Sequence, residues 1–124
     1  MHNSSPITFI AWDRANLAAV RDSLAGLQRD GIFLRRGRLL LETSWLGSGA
    51  RDFYATAWRW GAQDCPLFYD LARGGKLLLT ISDTVISCGD KDDIADARAG
   101  IAQEIIAVQS PQQLCGLLAD AAEN

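Results

Sequence analysis

The residues in this chain that could do chemistry are few, and their spacing fits no catalytic motif. The single histidine is His2, in a polar N-terminal segment. Serine and cysteine hydrolases use a histidine to accept the proton of the nucleophile, and many zinc sites use imidazole ligands. The sequence therefore argues against histidine-dependent catalysis, and it predicts no catalytic residue, no metal site and no cofactor.

The three cysteines offer a second kind of chemistry. Cys65, Cys88 and Cys115 are widely spaced and form no CxxC pair, a pattern that favours reduced thiols in a cytoplasm over a disulfide framework. Cys88 precedes Gly89 at a predicted strand end, where a thiol could be exposed and reactive. We favour the alternative, in which all three cysteines are small buried hydrophobes.

Carboxylates concentrate in the second half of the chain. Residues 1–60 carry eight arginines and five acidic residues, whereas residues 61–124 carry four basic and ten acidic residues. The densest run contains Asp90, Asp92, Asp93 and Asp96. A calcium loop of the form D-x-[DN]-x-[DN]-G would need an oxygen ligand where Ile94 stands and a glycine where Ala95 stands. The run is therefore either a helix start that meets the positive helix end, or a patch that faces a basic partner.

Aromatic side chains cluster between positions 45 and 60. A helix predicted over 50–61 would carry Tyr54 and Trp58 beside Arg51 and Arg59, with Trp45 shortly before it. These aromatics could form a wide core-facing stripe, or they could be partly exposed anchors of a protein interface. A third interpretation is that they stack single-stranded bases, with phosphate contacts from a basic turn that contains Arg35, Arg36 and Arg38.

The elements that position these residues are predicted from periodicity and turn signals. Strands are predicted over 7–12, 32–34, 39–43, 76–82 and 85–88, with a basic hairpin turn between the second and third. Helices are predicted over 13–30, 50–61, 66–71 and 94–108, and a last helix begins at a capping box on Ser110. We expect one α/β (α+β) domain over 1–124, with 1–6 as a flexible leader. Its sheet has about five strands, mixed or antiparallel, packed with four to five helices.

Composition limits the function classes. A hydrophobic content of 48%, a charged content of 22% and a net charge of −3 are ordinary for a soluble domain. No apolar run approaches the roughly twenty residues of a membrane helix, and the negative net charge argues against general nucleic-acid binding. We expect a cytoplasmic protein with no membrane partner, and the oligomeric state stays open.

In general character the chain resembles the bacterial immunity proteins that neutralise polymorphic toxins, such as those of contact-dependent growth inhibition systems. The acidic run, the exposed-aromatic candidates and the lack of a catalytic constellation carry this resemblance. It implies a cognate toxin domain as partner, often a nuclease whose cationic site the antitoxin plugs. A secretion chaperone, an RNA-binding module and a histidine-independent enzyme remain alternatives. The enzyme would draw on Asp64, Asp70, Asp83, Asp90 and Cys88.

Overall fold

The computed structural model describes residues 5–45, 53–101 and 103–122. Within them, eight strands are formed by Ile7–Ile10 (β1), Gln28–Asp30 (β2), Phe33–Arg36 (β3), Leu39–Trp45 (β4), Phe53–Arg59 (β5), Leu78–Ile81 (β6), Thr84–Ser87 (β7) and Ile105–Ala107 (β8). The same residues form four α-helices, at Leu17–Leu24 (α1), Cys65–Gly74 (α2), Lys91–Gly100 (α3) and Pro111–Ala122 (α4). A short 3-10 helix, Ala62–Asp64, leads into α2.

All eight strands join one mixed sheet in the order β2-β3-β4-β5-β1-β6-β7-β8. Its strand pairs are antiparallel except for β7 and β8, which run parallel. The parallel pair follows from chain order, because α3 crosses over between β7 and β8 and returns the chain in the same direction. The strand hairpins β3–β4 and β6–β7 match the prediction, and so does the first strand.

One side of the sheet carries the main core. Strand alternation directs Phe9, Leu41 and Leu79 to this side, where they pack with buried residues of α1, α2 and α4. Phe9 and Phe68 of α2 lie at the centre, with ring centroids 5.4 Å apart.

The opposite side of the sheet is covered only in part. Helix α3 packs there through Ala97 against Leu78, Val85 and Ile105, which belong to β6, β7 and β8. The neighbouring strands β1, β5, β4 and β3 receive no such helix from the described residues. Among the described residues, the three strands β6, β7 and β8 are thus covered on both sides, whereas β1, β3, β4 and β5 are packed on the core side alone and the edge strand β2 is exposed.

The helix predicted over 50–61 is wrong for the residues that the structure describes. Phe53–Arg59 forms β5, which pairs with both β1 and β4. Aromatic and β-branched residues favour strands, and the small side chains of Ala55 and Ala57 alternate as buried positions. The apolar spacing of this segment fits a period of two as well as a helical stripe, so periodicity alone does not decide between them.

Two other predicted helices are too long, and the strands β2 and β8 that follow them, together with β5, explain why five strands were expected and eight are found. Helix α1 begins after Asn16, whose side chain caps it, rather than after Asp13. It ends at Leu24, near Gly26, and the chain then forms the edge strand β2. Helix α3 ends at Gly100 instead of continuing to 108, and Ile105–Ala107 joins the sheet as β8. Glycine is a poor helix residue, and both exits lie near one.

Candidate functional site

The acidic run forms the first turns of α3, as the helix-start interpretation predicted. Asp90 is the N-cap, and its side chain accepts a hydrogen bond of 2.9 Å from the Asp93 amide. The Asp93 carboxylate accepts one of 3.2 Å from the Asp90 amide in return, which completes a capping box. The bond from the Asp93 amide, more than any other contact, lowers the pKa of Asp90.

Asp93 is an internal residue and not part of a free acidic patch. It is only 2% exposed, and its carboxylate lies 2.7 Å from Arg14 Nε and 2.8 Å from Lys76 Nζ. Gly89 makes room for it, since a Cβ at Gly89 would lie 2.5 Å from the Asp93 Cβ. A buried carboxylate is tolerated when cations pair with it, so Asp93 ties α3 to the rest of the fold.

The remaining carboxylates of the run differ in their surroundings. Asp96 is exposed but forms an ion pair with Arg14, and this bond is the main cause that raises the pKa of the Arg14 guanidinium. Asp92 is also exposed. Of the four predicted partner-binding aspartates, only Asp93 is buried; Asp90, Asp92 and Asp96 are exposed, with Asp90 also capping the helix and Asp96 paired with Arg14.

The uncovered part of the sheet brings exposed apolar and aromatic side chains together. We call this surface the open face. It consists of side chains on the α3 side of β1, β3, β4 and β5, namely Thr8, Ile10, Phe33, Arg35, Leu40, Glu42, Ser44, Tyr54, Thr56, Trp58 and Arg59. Ile10 and Tyr54 are each 41% exposed and Trp58 is 47% exposed. Exposed apolar side chains that share one face of a sheet make that face a candidate binding surface.

Strand register places these side chains in rows. Tyr54 of β5 lies opposite both Ile10 of β1 and Ser44 of β4. In the next row Thr56 lies between Thr8 and Glu42. Cross-strand neighbours have Cβ atoms about 5 Å apart, so the rows form one continuous surface with a threonine and tyrosine centre.

A β-bulge orients the aromatic end of the open face. The β4–β5 register shifts between Leu40 and Leu41, so that Arg59 pairs with Leu40 and Trp58 has no partner of its own. Bulges bend a strand and change the direction of a side chain. Here the Trp58 Nε1 donates a 2.8 Å hydrogen bond to Glu42 Oε1. Between described residues, Glu42 forms no ion pair.

The structure separates the aromatic residues that the sequence grouped. Tyr54, Trp58 and Arg59 lie together on the open face. Trp45 lies on the core side, where its ring is 4.3 Å from that of Phe53 and the Arg21 guanidinium stacks 4.4 Å above it. Arg51 lies outside the described residues.

Ile10 and Glu42 are among the members of the open face that sequence reasoning missed. Both follow from strand alternation, because each is out of phase with buried neighbours in its own strand, such as Phe9 and Leu41. Once both segments are predicted as strands, this alternation can be recognised in the sequence. The sequence does not predict that Ile10 and Glu42 both lie beside β5, because that segment was predicted as a helix.

The residues proposed for a histidine-independent enzyme lie on different elements. Cys88 is fully buried, and burial raises the pKa of its thiol to about 12. Asp64 is also buried and accepts a 2.9 Å hydrogen bond from the Gly61 amide. Asp70 lies on α2 and Asp83 in the β6–β7 turn. The described part of the chain holds no group of three or more histidine, cysteine or acidic side chains that could bind a metal.

The arginines of the predicted basic turn differ in their surroundings. Arg36 points toward Asp64, with its Nη2 3.9 Å from Oδ1, and Arg35 lies 3.6 Å from Asp30. Arg38 is exposed in the β3–β4 turn.

None of the helices in the described ranges combines the length and the apolar character needed to cross a bilayer. Of the predicted leader, residues 1–4 lie outside the described ranges, and the carbonyl of Ser5 accepts a 2.9 Å bond from Trp60 Nε1.

Comparison with family models, with curated proteins and with solved structures returned no match.

Proposed function

We propose that this chain is a non-enzymatic binding protein, and that it acts in the cytoplasm as an immunity protein that occupies a cognate toxin domain. The observation that carries the proposal is the open face. Its three most exposed apolar side chains, Ile10, Tyr54 and Trp58, lie on neighbouring strands of one sheet. Interaction surfaces are the usual role of such a patch, and tyrosine and tryptophan are the residue types that dominate binding energy at protein interfaces.

The backbone under the open face supports this role. Tyr54 and Trp58 belong to β5, an interior strand with hydrogen-bonded neighbours on both sides. Side chains on such a strand lose little further backbone entropy when a partner docks, because the backbone is already fixed. Truncation of a central aromatic anchor at an interface costs about 2 kcal/mol or more of binding free energy.

Glu42 supports a partner that contributes a basic side chain. Its carboxylate is half-buried among aromatic and threonine side chains, and one oxygen is used by Trp58. A guanidinium or ammonium group of the partner could pair with the carboxylate and lie against the Trp58 ring, which combines an ion pair with a cation–π contact. A toxin domain with a cationic site, such as a nuclease, has that chemistry.

The surface aspartates of α3 fit the same partner. Helix α3 packs on the side of the sheet that carries the open face, so Asp92 and Asp96 flank the proposed docking surface. Carboxylates beside an interface raise the association rate of a cationic partner more than they raise affinity. We therefore assign anchoring to the open face and steering to Asp92 and Asp96.

A growth-protection assay tests the proposal. The probe is the toxin domain encoded beside this gene, expressed in a bacterial host together with this chain. We expect the wild-type chain to protect, and Thr56→Arg to abolish protection because it places a bulky cation at the centre of the open face. Ile32→Arg is the matched control, since Ile32 is exposed in the β2–β3 turn. Equal protection by Thr56→Arg and the wild type would reject the open face as the docking surface.

A single-stranded RNA ligand is the second candidate, and one observation favours it. Tyr54, Trp58, Arg35 and Arg59 share the open face, and aromatics beside arginines stack bases and contact phosphates. Glu42 in their midst weighs against a polyanion. A filter-binding assay with a mixed-sequence RNA oligonucleotide at low salt separates the candidates, because retention of RNA that Trp58→Ala removes would support the RNA function.

The chaperone alternative has less support. Chaperones of that kind usually form dimers, and the apolar face of the last helix would be the candidate dimer surface. In the structure Leu114 and Leu118 of α4 are fully buried against the chain's own core, so this face is used within the protomer.

A further inference from the structure

Two of the three cysteines meet where α2 and α4 pack together. Cys65 is the first residue of α2, and Cys115 lies in the second turn of α4. Both converge on one backbone carbonyl, that of Ala62. The Cys65 amide donates to this oxygen, and the Cys115 thiol approaches it at 3.8 Å.

The two thiols are close enough to influence each other. After desolvation by burial, the neighbouring Cys115 is the next cause that raises the pKa of Cys65, to about 12. Cys65 is buried in the main core, whereas Cys115 is partly exposed at its margin. The pair therefore has one accessible thiol and one sheltered thiol, at a contact between two helices that are far apart in the chain.

We propose that Cys65 and Cys115 are an oxidation site, which hydrogen peroxide converts into an intramolecular disulfide that links α2 to α4. The inference is independent of the proposed binding function, because neither residue belongs to the open face. It also differs from the sequence-based expectation that all three cysteines stay reduced.

The chemistry balances with peroxide as the only oxidant. Cys115, the more accessible thiol, loses its proton, and its thiolate attacks one peroxide oxygen. The O–O bond breaks to give a Cys115 sulfenic acid and hydroxide, and the hydroxide takes up the proton lost by Cys115 to become the first water. The Cys65 sulfur then attacks the Cys115 sulfur, and the S–O bond breaks as the S–S bond forms. The released hydroxyl takes up the Cys65 proton and leaves as water. Two thiols are oxidised, one peroxide is reduced, and two water molecules form.

The difference in solvent exposure between Cys115 and Cys65 determines which thiol reacts first with peroxide. A thiolate must be reached by peroxide, and Cys65 is both buried and protonated at neutral pH because its pKa is raised to about 12. Cys115 is therefore the point of entry, and Cys65 acts as the resolving thiol. Cys88 has no cysteine beside it among the described residues, and it serves as an internal control.

The test uses the full-length reduced protein and hydrogen peroxide. After oxidation the protein is unfolded in urea so that buried thiols can react, remaining thiols are blocked with N-ethylmaleimide, and the protein is digested without reductant for mass spectrometry. We expect monomeric protein that has lost two hydrogen atoms, a cross-linked Cys65–Cys115 peptide and one blocked thiol, at Cys88. Cys88→Ser should form the same cross-link, and Cys65→Ser should leave Cys115 to over-oxidise.

Three results would overturn the inference. They are a wild-type protein in which both Cys65 and Cys115 remain blocked by N-ethylmaleimide, a Cys115 that gains two or three oxygen atoms without any cross-link, and a covalent dimer through Cys115. A cross-link that includes Cys88 would overturn it as well, because that result contradicts the placement of Cys88.

Discussion

The indole Nε1 of Trp58 donates a 2.8 Å hydrogen bond to Oε1 of Glu42, across the bulged pair of strands β4 and β5. This bond joins a half-exposed aromatic ring to the neighbouring strand, on a surface that none of the described helices covers. It uses one oxygen of Glu42, and the described residues form no ion pair with that carboxylate. The proposed function depends on this arrangement of ring, carboxylate and open sheet.

Trp58 should matter far more for binding than for folding. Trp58→Phe removes the hydrogen bond to Glu42, and we expect it to lower the free energy of unfolding by no more than about 1 kcal/mol, because an exposed hydrogen bond contributes little net stability. Urea denaturation followed by circular dichroism measures this effect. A loss of several kcal/mol would mean that Trp58 is a structural residue and would remove the main reason to assign it to an interface.

Asp93 should contribute more to stability than the exposed aspartates of α3. Asp93→Asn removes the buried carboxylate that pairs with Arg14 and Lys76. Both cations are partly exposed and Arg14 keeps Asp96, so water screens the charges left behind and we expect a loss of about 1 to 2 kcal/mol. The matched control is Asp92→Asn, one position earlier on the exposed side of α3, which should change stability by less than about 0.5 kcal/mol. Chemical denaturation of both variants checks the difference. Equal stability of the two variants would contradict the internal placement of Asp93.

The charge on Asp90 should make the free energy of unfolding depend on pH in the acidic range. Its pKa is lowered in the folded protein, so the group binds protons less readily there than in the unfolded chain. Its contribution is therefore fully present above about pH 4, the ordinary range of an aspartate, and is lost as the pH falls through the lowered folded pKa. Asparagine also caps helices well, so Asp90→Asn removes the charge and keeps the cap. We expect the stability gap between wild type and Asp90→Asn to be constant near neutral pH and to close below pH 4. A gap that widens in acid has the wrong sign for this account.

Cysteine alkylation should follow burial. Cys88 is fully buried and its pKa is about 12, so only about one molecule in ten thousand carries the thiolate at pH 8. We expect iodoacetamide to label Cys115 first and Cys88 last, as peptide mapping over time would show. Rapid labelling of Cys88 in the folded protein would revive the idea of a reactive thiol at the end of β7.

The sequence predicts local signals well and sheet neighbours poorly. Ser110 starts α4 as expected, with its hydroxyl accepting a 3.1 Å bond from the Gln113 amide, because a cap is decided by residues three apart. Strand β5 was missed because the spacing of its apolar residues fits both a helix and a strand. Only the pairing of this segment with β1 and β4 selects the strand. Strand β8 was missed because Ile105 continues the helical spacing of Ile94 and Ile101, whereas its parallel pairing with β7 depends on residues twenty positions earlier.

The same limit applies to the candidate site. Tyr54 and Trp58 were identified by residue type, since exposed aromatics anchor interfaces whatever the local structure. The role of Asp93 depended on distant cations, for Arg14 approaches it from the other end of the chain. A run of aspartates in a sequence does not show which carboxylate will be buried and paired with cations in the fold.

The most direct test of the central claim is the affinity of this chain for the purified product of the neighbouring gene, which we propose to be its cognate toxin, measured by isothermal titration calorimetry. Trp58→Ala and Tyr54→Ala should each raise the Kd about thirtyfold or more, which corresponds to about 2 kcal/mol for an interface anchor. Ile32→Ala, an exposed apolar residue in the β2–β3 turn outside the open face, should leave the Kd within about twofold. Unchanged affinity in both aromatic variants, with binding by the wild type intact, would contradict the claim that this protein docks through its uncovered sheet.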